Sequence, residues 1–204
     1  GMKFICVGRN YADHAKELKN AIPSEPVLFI KPETARIIDK QPFFLPSFSK
    51  DVHYEVEVLI KINRVGKHIE ERFAHRYYDE IGLGIDFTAR DVQTQMKEKG
   101  LPWEKAKAFD GSAMVGKFAE KASLGDLNGL AFRLERNGEV VQKGNTSNML
   151  FPIDRLIAEI SKYFTLKKGD IIFTGTPEGV GPVFTEDRLQ GFIGDKEFFS
   201  LRVK

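Results

Sequence analysis

Apolar and polar positions change over quickly along the chain, in stretches of four to ten residues. Phe4-Ile5-Cys6-Val7 is a short apolar run and predicts a strand over Lys3–Val7. Residues 10–19 read as a short helix with Asn10 as its N-cap. Pro23-Ser24-Glu25-Pro26 reads as a turn, and residues 27–30 as an apolar strand closed by Lys31-Pro32. Residues 41–49 hold two prolines and three phenylalanines and read as a packed loop or sheet edge, since proline is poorly placed in a central strand. From residue 53, His53, Glu55 and Glu57 alternate with Tyr54, Val56 and Val58, which predicts a two-faced strand over 53–62.

Residues 70–80 fit a helix with Phe73 and Tyr77 on one side, and 81–87 a buried strand. Thr88 reads as the cap of a helix running through Lys99, with Asp91 three residues on and Gly100 as the stop. Asn137-Gly138 favours a type I′ turn and places a hairpin over 132–144. Residues 152–163 form an amphipathic pattern with Pro152 near the first turn. Residues 170–174 read as a strand entering the loop Gly175-Thr176-Pro177-Glu178-Gly179-Val180-Gly181. Residues 197–203 read as a terminal strand after a Gly194-Asp195 turn.

Many short strands with three or four helices, not in strict βαβ alternation, predict an α+β fold with a mixed or antiparallel sheet, rolled or barrel-like. The 204 residues suit a single domain over 1–204 that buries a core without disulfides or a structural metal. Gly1 ahead of Met2 reads as a cloning scar and takes no part in the fold reasoning.

Composition excludes a wholly disordered chain, a collagen and a coiled coil: 42% of residues are hydrophobic and 29% charged. Lys+Arg 31 against Asp+Glu 29 leaves +2, which gives no reason to expect nucleic acid or an anionic membrane as partner. Cys6 is the single cysteine, so an intrachain disulfide and cysteine-based zinc sites are excluded, and a reducing compartment such as the cytoplasm is expected. No apolar run approaches the roughly 18 residues of a membrane span or the length of a secretory core, so neither is expected. The chain lacks a G-x-S-x-G elbow, a Walker loop and a convincing zinc spacing of histidines.

The candidate chemistry lies in carboxylates. Glu55 and Glu57 are two apart on a strand and share a face, so both can point at one cation; they also fit a half-solvated strand. Asp86 ends an apolar strand just before a helix, a common place for ligands and equally for a turn aspartate. Three carboxylates without a thiolate select a hard cation, Mg²⁺, Mn²⁺ or Ca²⁺. His14 and Glu17 share a helix face, which suits an oriented base or a solvated surface pair. Lys107, if buried, supplies positive charge for an enolate or oxyanion; otherwise it is a solvated lysine. The Gly175–Gly181 loop offers backbone amides to a carboxylate or is simply a tight turn.

Taken in order, these stretches resemble the fumarylacetoacetate hydrolase family. They are Gly8-Arg9-Asn10-Tyr11-Ala12-Asp13-His14-Ala15-Lys16-Glu17, Ser24-Glu25-Pro26-Val27-Leu28-Phe29-Ile30-Lys31-Pro32 and His53-Tyr54-Glu55-Val56-Glu57. They continue with Asp86-Phe87-Thr88-Ala89-Arg90-Asp91-Val92-Gln93, Lys99-Gly100-Leu101-Pro102-Trp103 and the Thr174–Gly181 stretch. The Arg-Asp-Val-Gln and Lys-Gly-Leu-Pro-Trp pieces are most similar to the short acylpyruvase and oxaloacetate decarboxylase branch. The extra N-terminal domain of the longer members has no room here.

The resemblance implies a mixed β-roll, a homodimer, and Mg²⁺ or Mn²⁺ held by Glu55, Glu57 and Asp86. It implies His14 and Glu17 as a water-activating pair on a helix that orders with substrate, and Lys107 near the reacting oxygen. It implies Arg9, Tyr11, Gln93, Gly175 and Thr176 as substrate contacts. Glu178 and the stretch Phe184-Thr185-Glu186-Asp187 depart from the commoner pattern and bear on the far end of the substrate. The expected reaction is hydrolysis of the carbon–carbon bond of an acylpyruvate, with pyruvate leaving as its enolate. The alternatives at the same site are oxaloacetate decarboxylation and isomerisation of a 2-hydroxyhepta-2,4-diene-1,7-dioate or hydroxymuconate-type acid. A metal- or ligand-binding module whose chemistry has decayed is the non-enzymatic alternative.

Overall fold

The computed structural model describes residues 1–204. Along the chain the elements are β1 (Lys3–Val7), α1 (Ala12–Glu17), β2 (Leu28–Pro32), β3 (Val52–Tyr54), β4 (Val56–Ile62), β5 (Tyr78–Asp86) and β6 (Thr88–Ala89). They continue with α2 (Arg90–Lys99), α3 (Glu104–Lys107), β7 (Ala113–Glu120), β8 (Ala131–Arg136), β9 (Glu139–Asn145) and α4 (Ile153–Tyr163). The last are β10 (Ile171–Phe173), β11 (Gly181–Pro182), β12 (Arg188–Ile193) and β13 (Lys196–Arg202).

The strands form a six-stranded sheet ordered β2-β1-β10-β4-β5-β7, a four-stranded sheet β13-β12-β8-β9 and a small sheet β11-β3-β6. β1 and β10 run parallel, with Phe4 opposite Ile171 and Cys6 opposite Phe173; the other named pairings are antiparallel. The fold is α+β with mixed sheets and few, short helices, as expected. The larger sheets enclose a cluster of 36 buried apolar residues. α4 seals one side with Ile153, Leu156, Ile157 and Ile160, the i, i+3, i+4, i+7 stripe of an amphipathic helix. Asn137 and Gly138 take φ of 53° and 84°, the two positive values that a type I′ turn requires. No helix is long and apolar enough to cross a membrane.

Four local expectations are corrected. The strand predicted over 53–62 breaks at Glu55, where the chain passes from the small sheet to the large one. Residues 71–77 form a 3₁₀ stretch, and strand β5 already begins at Tyr78. Thr88 does not cap α2: it lies in β6, and its hydroxyl donates to Glu55 Oε2 at 3.0 Å. Asn10 does not cap α1, which starts later. Its buried amide donates to the carbonyls of Phe151 and Thr174 at 3.1 and 2.7 Å, and its Oδ1 accepts from Phe151 N–H. In both cases a distant partner outcompetes the local cap. The 41–49 loop packs through Phe43, edge-on to Phe87, and leaves Phe44 and Phe48 exposed.

Candidate active site

Glu55 sits at the junction of β3 and β4, Glu57 lies one turn of the pleat further on, and Asp86 ends β5. β4 and β5 pair antiparallel, with Glu57 opposite Gly84, and Asp86 N–H donates to the Glu55 carbonyl at 2.9 Å. This register brings three carboxylates together with one oxygen of each within 4.8 Å of the others. All three are buried, at 4%, 1% and 1% exposure.

Three cations face them. Lys107, at the end of α3, donates to Asp86 Oδ2 at 2.9 Å, Glu55 Oε1 at 3.2 Å and Thr88 Oγ1 at 2.7 Å. Arg90, the first residue of α2, places Nη2 at 2.6 Å from Glu55 Oε2 and Nη1 at 2.8 Å from Gln93 Oε1. Lys31, fully buried in β2, has its Nζ 2.7 Å from Asp86 Oδ1 and donates to the Ser112 carbonyl. Burial would raise the Glu55 carboxyl, but Lys107 and Arg90 outweigh it and hold the group well below the carboxylate range. Burial would likewise depress Lys107, yet Asp86 and Glu55 push it above its ordinary value.

Glu57 is treated differently. Burial, then Asp86 and Glu55, push it well above the carboxylate range, against the Lys107 charge and the Gly175 N–H that donates to it at 2.8 Å. Asp86 Oδ1 has the Lys31 charge nearby but no hydrogen bond in proper geometry, and Tyr11 OH is buried without a partner. Burial and the nearby Glu57 push the Tyr11 phenol up. An all-oxygen donor set, a crowded carboxylate and unused lone pairs fit a hard divalent cation bound by Glu55, Glu57 and Asp86.

A narrow cavity of about 30 Å³ reaches this cluster, lined by Arg9, His14, Gln93, Lys97, Trp103, Lys107 and Thr176 among others. His14 is buried, with Nδ1 3.3 Å from Glu17 Oε2. Glu17 also accepts from Gly179 N–H at 3.0 and 3.2 Å, so α1 is tied across the glycine-rich loop. Burial would raise the Glu17 carboxyl, but His14 and the Gly179 amide outweigh it and lower it. Thr176 is buried and its hydroxyl accepts from Gln142 Nε2 at 2.9 Å. The Gly175 amide is occupied by Glu57, so it positions a carboxylate of the protein.

The candidate metal ligands, the His14–Glu17 pair, Lys107 and the expected contacts Arg9, Tyr11, Gln93, Gly175 and Thr176 thus lie at or beside one site, whereas Asp187 pairs with Arg136 and Asn137 away from it. Those not singled out are Lys31, Thr88, Arg90 and Gln142. Lys31 carried a readable sign, a lysine inside the apolar strand Phe29-Ile30-Lys31, and Arg90 opens a helix directly after the Asp86 strand. Thr88 and Gln142 carried none, since their partners lie 33 and 34 residues away. Cys6 is buried and burial pushes its thiol up, which leaves it a poor nucleophile.

The family model for the fumarylacetoacetate (FAA) hydrolase C-terminal region matches residues 3–203. The chain belongs to the fumarylacetoacetate hydrolase family. Within it, the chain is 47% identical over 188 residues to an Escherichia coli protein named oxaloacetate tautomerase YcgM, covering 92% of this chain and 86% of that protein. It is 44% identical over 184 residues to a Dictyostelium discoideum protein named mitochondrial oxaloacetate decarboxylase, covering 90% and 84%. The crystal structure of a fumarylpyruvate hydrolase from Pseudomonas aeruginosa, in complex with Mn²⁺ and pyruvate, superposes with a TM-score of 0.92. The identity there is 36%, over 98% of this chain and 88% of that one. As a family member the chain is an enzyme with a candidate divalent-metal site.

Proposed function

We propose that this chain is a divalent-metal-dependent enzyme that enolises oxaloacetate, interconverting its keto and enol forms, with decarboxylation at the same site. The observation that carries this reading is the convergence of Glu55, Glu57 and Asp86 on one point beside Lys107. In the reading those three carboxylates hold Mg²⁺ or Mn²⁺, and the names of the relatives supply oxaloacetate.

A bound divalent cation would polarise the keto oxygen of a 2-oxo acid and tie its adjacent carboxylate. Lys107 then adds positive charge where the enolate oxygen develops. Gln93 and Thr176 present polar groups to the bound acid. His14, oriented by Glu17, takes or returns the proton at C3, which is the step tautomerisation needs. Tyr11 OH offers a buried donor beside Glu57. A cavity of about 30 Å³ holds one water, not a four-carbon acid. Release of the Glu17–Gly179 contact, which frees the six-residue α1, is the opening the substrate requires.

The second reading, acylpyruvate hydrolysis, is favoured by the same His14–Glu17 pair, which is built like a water-activating base. Pairing of two copies and a cytoplasmic location belong to the proposal, although several relatives are named mitochondrial.

The test follows the enol absorbance of oxaloacetate and its pyruvate yield in the same sample, after chelation and after Mg²⁺ is added back. Enol–keto exchange that stops on chelation and returns with Mg²⁺ is expected. Acceleration of neither process, with acetylpyruvate cleaved instead, would move the assignment to the hydrolase.

A further inference from the structure

Two of the three acids at the candidate metal cluster are paired with cations: Glu55 with Arg90 and Lys107, and Asp86 with Lys31 and Lys107. Two further cations line the cavity with no counterpart. Neither Arg9 nor Lys97 makes an ion pair or a side-chain hydrogen bond, and both are half-buried. Lys97 lies on the face of α2 that carries Arg90 and Gln93, at i, i+3 and i+7, so all three point into the cavity. Its ammonium stands 5.7 Å from the Trp103 ring, and that ring packs edge-on to Phe29. Arg9 has φ of 88°, which costs a non-glycine residue strain. The neighbouring Asn10, locked to Phe151 and Thr174, holds the backbone there. Burial, then Arg9, Arg90 and Lys107, push Lys97 below its ordinary value. An anion seated among these cations relieves that repulsion.

We propose that Arg9 and Lys97 form a second carboxylate subsite that receives the distal carboxylate of a dicarboxylic 2-oxo acid. The inference rests on the 2-oxo acid reading above and adds which end of the substrate sets specificity. It also bears on the reaction's outcome. In decarboxylation the C3–C4 bond breaks, C4 leaves as neutral CO₂, and the bond's electron pair passes to C3 and the keto oxygen as pyruvate enolate. Cations at C4 stabilise charge at the place that must lose it, and so oppose that step. In tautomerisation C4 keeps its charge while a proton moves between C3 and the keto oxygen. The subsite therefore favours tautomerisation over loss of CO₂.

The experiment uses Lys97→Met and Arg9→Met, with Lys97→Arg as the conservative variant. A charge-assisted contact of this kind makes the expected loss about tenfold to a hundredfold. The preference in kcat/KM for oxaloacetate over acetylpyruvate should fall by that factor through KM in both methionine variants and be kept in Lys97→Arg. Pyruvate formed per enolisation event should rise. Calorimetry with malate and lactate, which share a chelating end and differ in the distal carboxylate, gives a readout free of turnover. The affinity ratio should fall by the same factor. Equal losses for both substrates, or an unchanged malate-to-lactate ratio, would overturn the subsite. If the wild type accelerates neither oxo acid yet prefers malate and loses that preference in the variants, the functional reading fails and the subsite stands.

Discussion

The N–H of Gly175 donates to Glu57 Oε2 at 2.8 Å, so a loop amide sets the orientation of the most crowded carboxylate in the site. Gly175 has φ of 109°, and a Cβ there would lie 2.7 Å from Asn10 Cβ. Both facts bar any other residue. Gly175→Ala is expected to cost about 1–3 kcal/mol of stability through backbone strain alone. It should also weaken Mn²⁺ binding by about tenfold or more, since a partner that orients a ligand is lost. Urea denaturation in chelator and calorimetric titration with Mn²⁺ measure the two effects. Wild-type Mn²⁺ affinity in the variant would detach Gly175 from the metal site.

Lys31→Met tests the cation behind Asp86. Removing it leaves buried Asp86 with Lys107 as its one remaining cation, and losing a partner of a buried ion pair costs up to about 3–5 kcal/mol. The metal-free variant should be less stable by that amount. Saturating Mn²⁺ should close most of the gap, because the cation replaces the missing charge. Thermal and urea unfolding with and without Mn²⁺ give the comparison, and a gap that persists at saturation would argue that Lys31 serves packing instead.

His14→Ala should slow enol–keto exchange of oxaloacetate by about 10²–10⁴-fold, the usual range for a positioned acid–base group. Glu17→Gln keeps an acceptor for Gly179 but removes the charge beside His14, and a smaller loss is expected. Carbon–carbon bond cleavage of oxaloacetate needs no base at C3 and should suffer less in both variants. Equal losses in exchange and in pyruvate release would assign His14 to substrate placement.

Asp187 supplies a pH test remote from the site. Its buried carboxylate accepts from Arg136 Nε at 2.7 Å, Asn137 Nδ2 at 2.9 Å and Phe184 N–H at 2.7 Å. Burial would raise it, but Arg136, Asn137 and the Phe184 amide outweigh burial and hold it below its ordinary value of 3.8. A group depressed in the folded state contributes stability above its unfolded value, and that contribution is lost as pH falls through the folded value. Asp187→Asn should therefore be destabilised by about 1.5–3 kcal/mol at pH 7 and approach the wild type below pH 3.8. Urea midpoints across pH 3 to 7 check the sign. A constant difference over that range would show that shape, not charge, matters at this position.

Elements whose cause is local were legible in the sequence. The Asn137-Gly138 hairpin, the α4 stripe and the Gly100 stop of α2, with its φ of 64°, each rest on residues a few positions apart. Misread elements had distant causes. Thr88 has the composition of a cap but is drawn into the Glu55–Lys107 network. Asn10 is claimed by partners 141 and 164 residues away. Phe73 and Tyr77 have helical spacing, yet the strand pairing of Tyr78 with Ile62 ends the stretch as a 3₁₀ turn.

The carboxylates were legible because their spacing and order in the chain carry the pattern. The cations around them were not, with Lys107 the exception. Lys31 stands inside an apolar strand, a sign of burial, but a buried lysine is rare and its partner Asp86 lies 55 residues on, so the sequence does not name the charge it neutralises.

The parallel pairing of β1 with β10 sets an order of assembly during synthesis. Residues 3–7 are made long before residues 171–173, yet those are one of their two neighbours in the sheet, and the loop that orients Glu57 follows directly. Closing so long a loop carries an entropic cost that grows slowly with length but delays the contact until most of the chain exists. β4 and β5 can pair much earlier and bring Glu55, Glu57 and Asp86 together before that loop is made. A nascent chain therefore displays a cluster of carboxylates without its glycine amide.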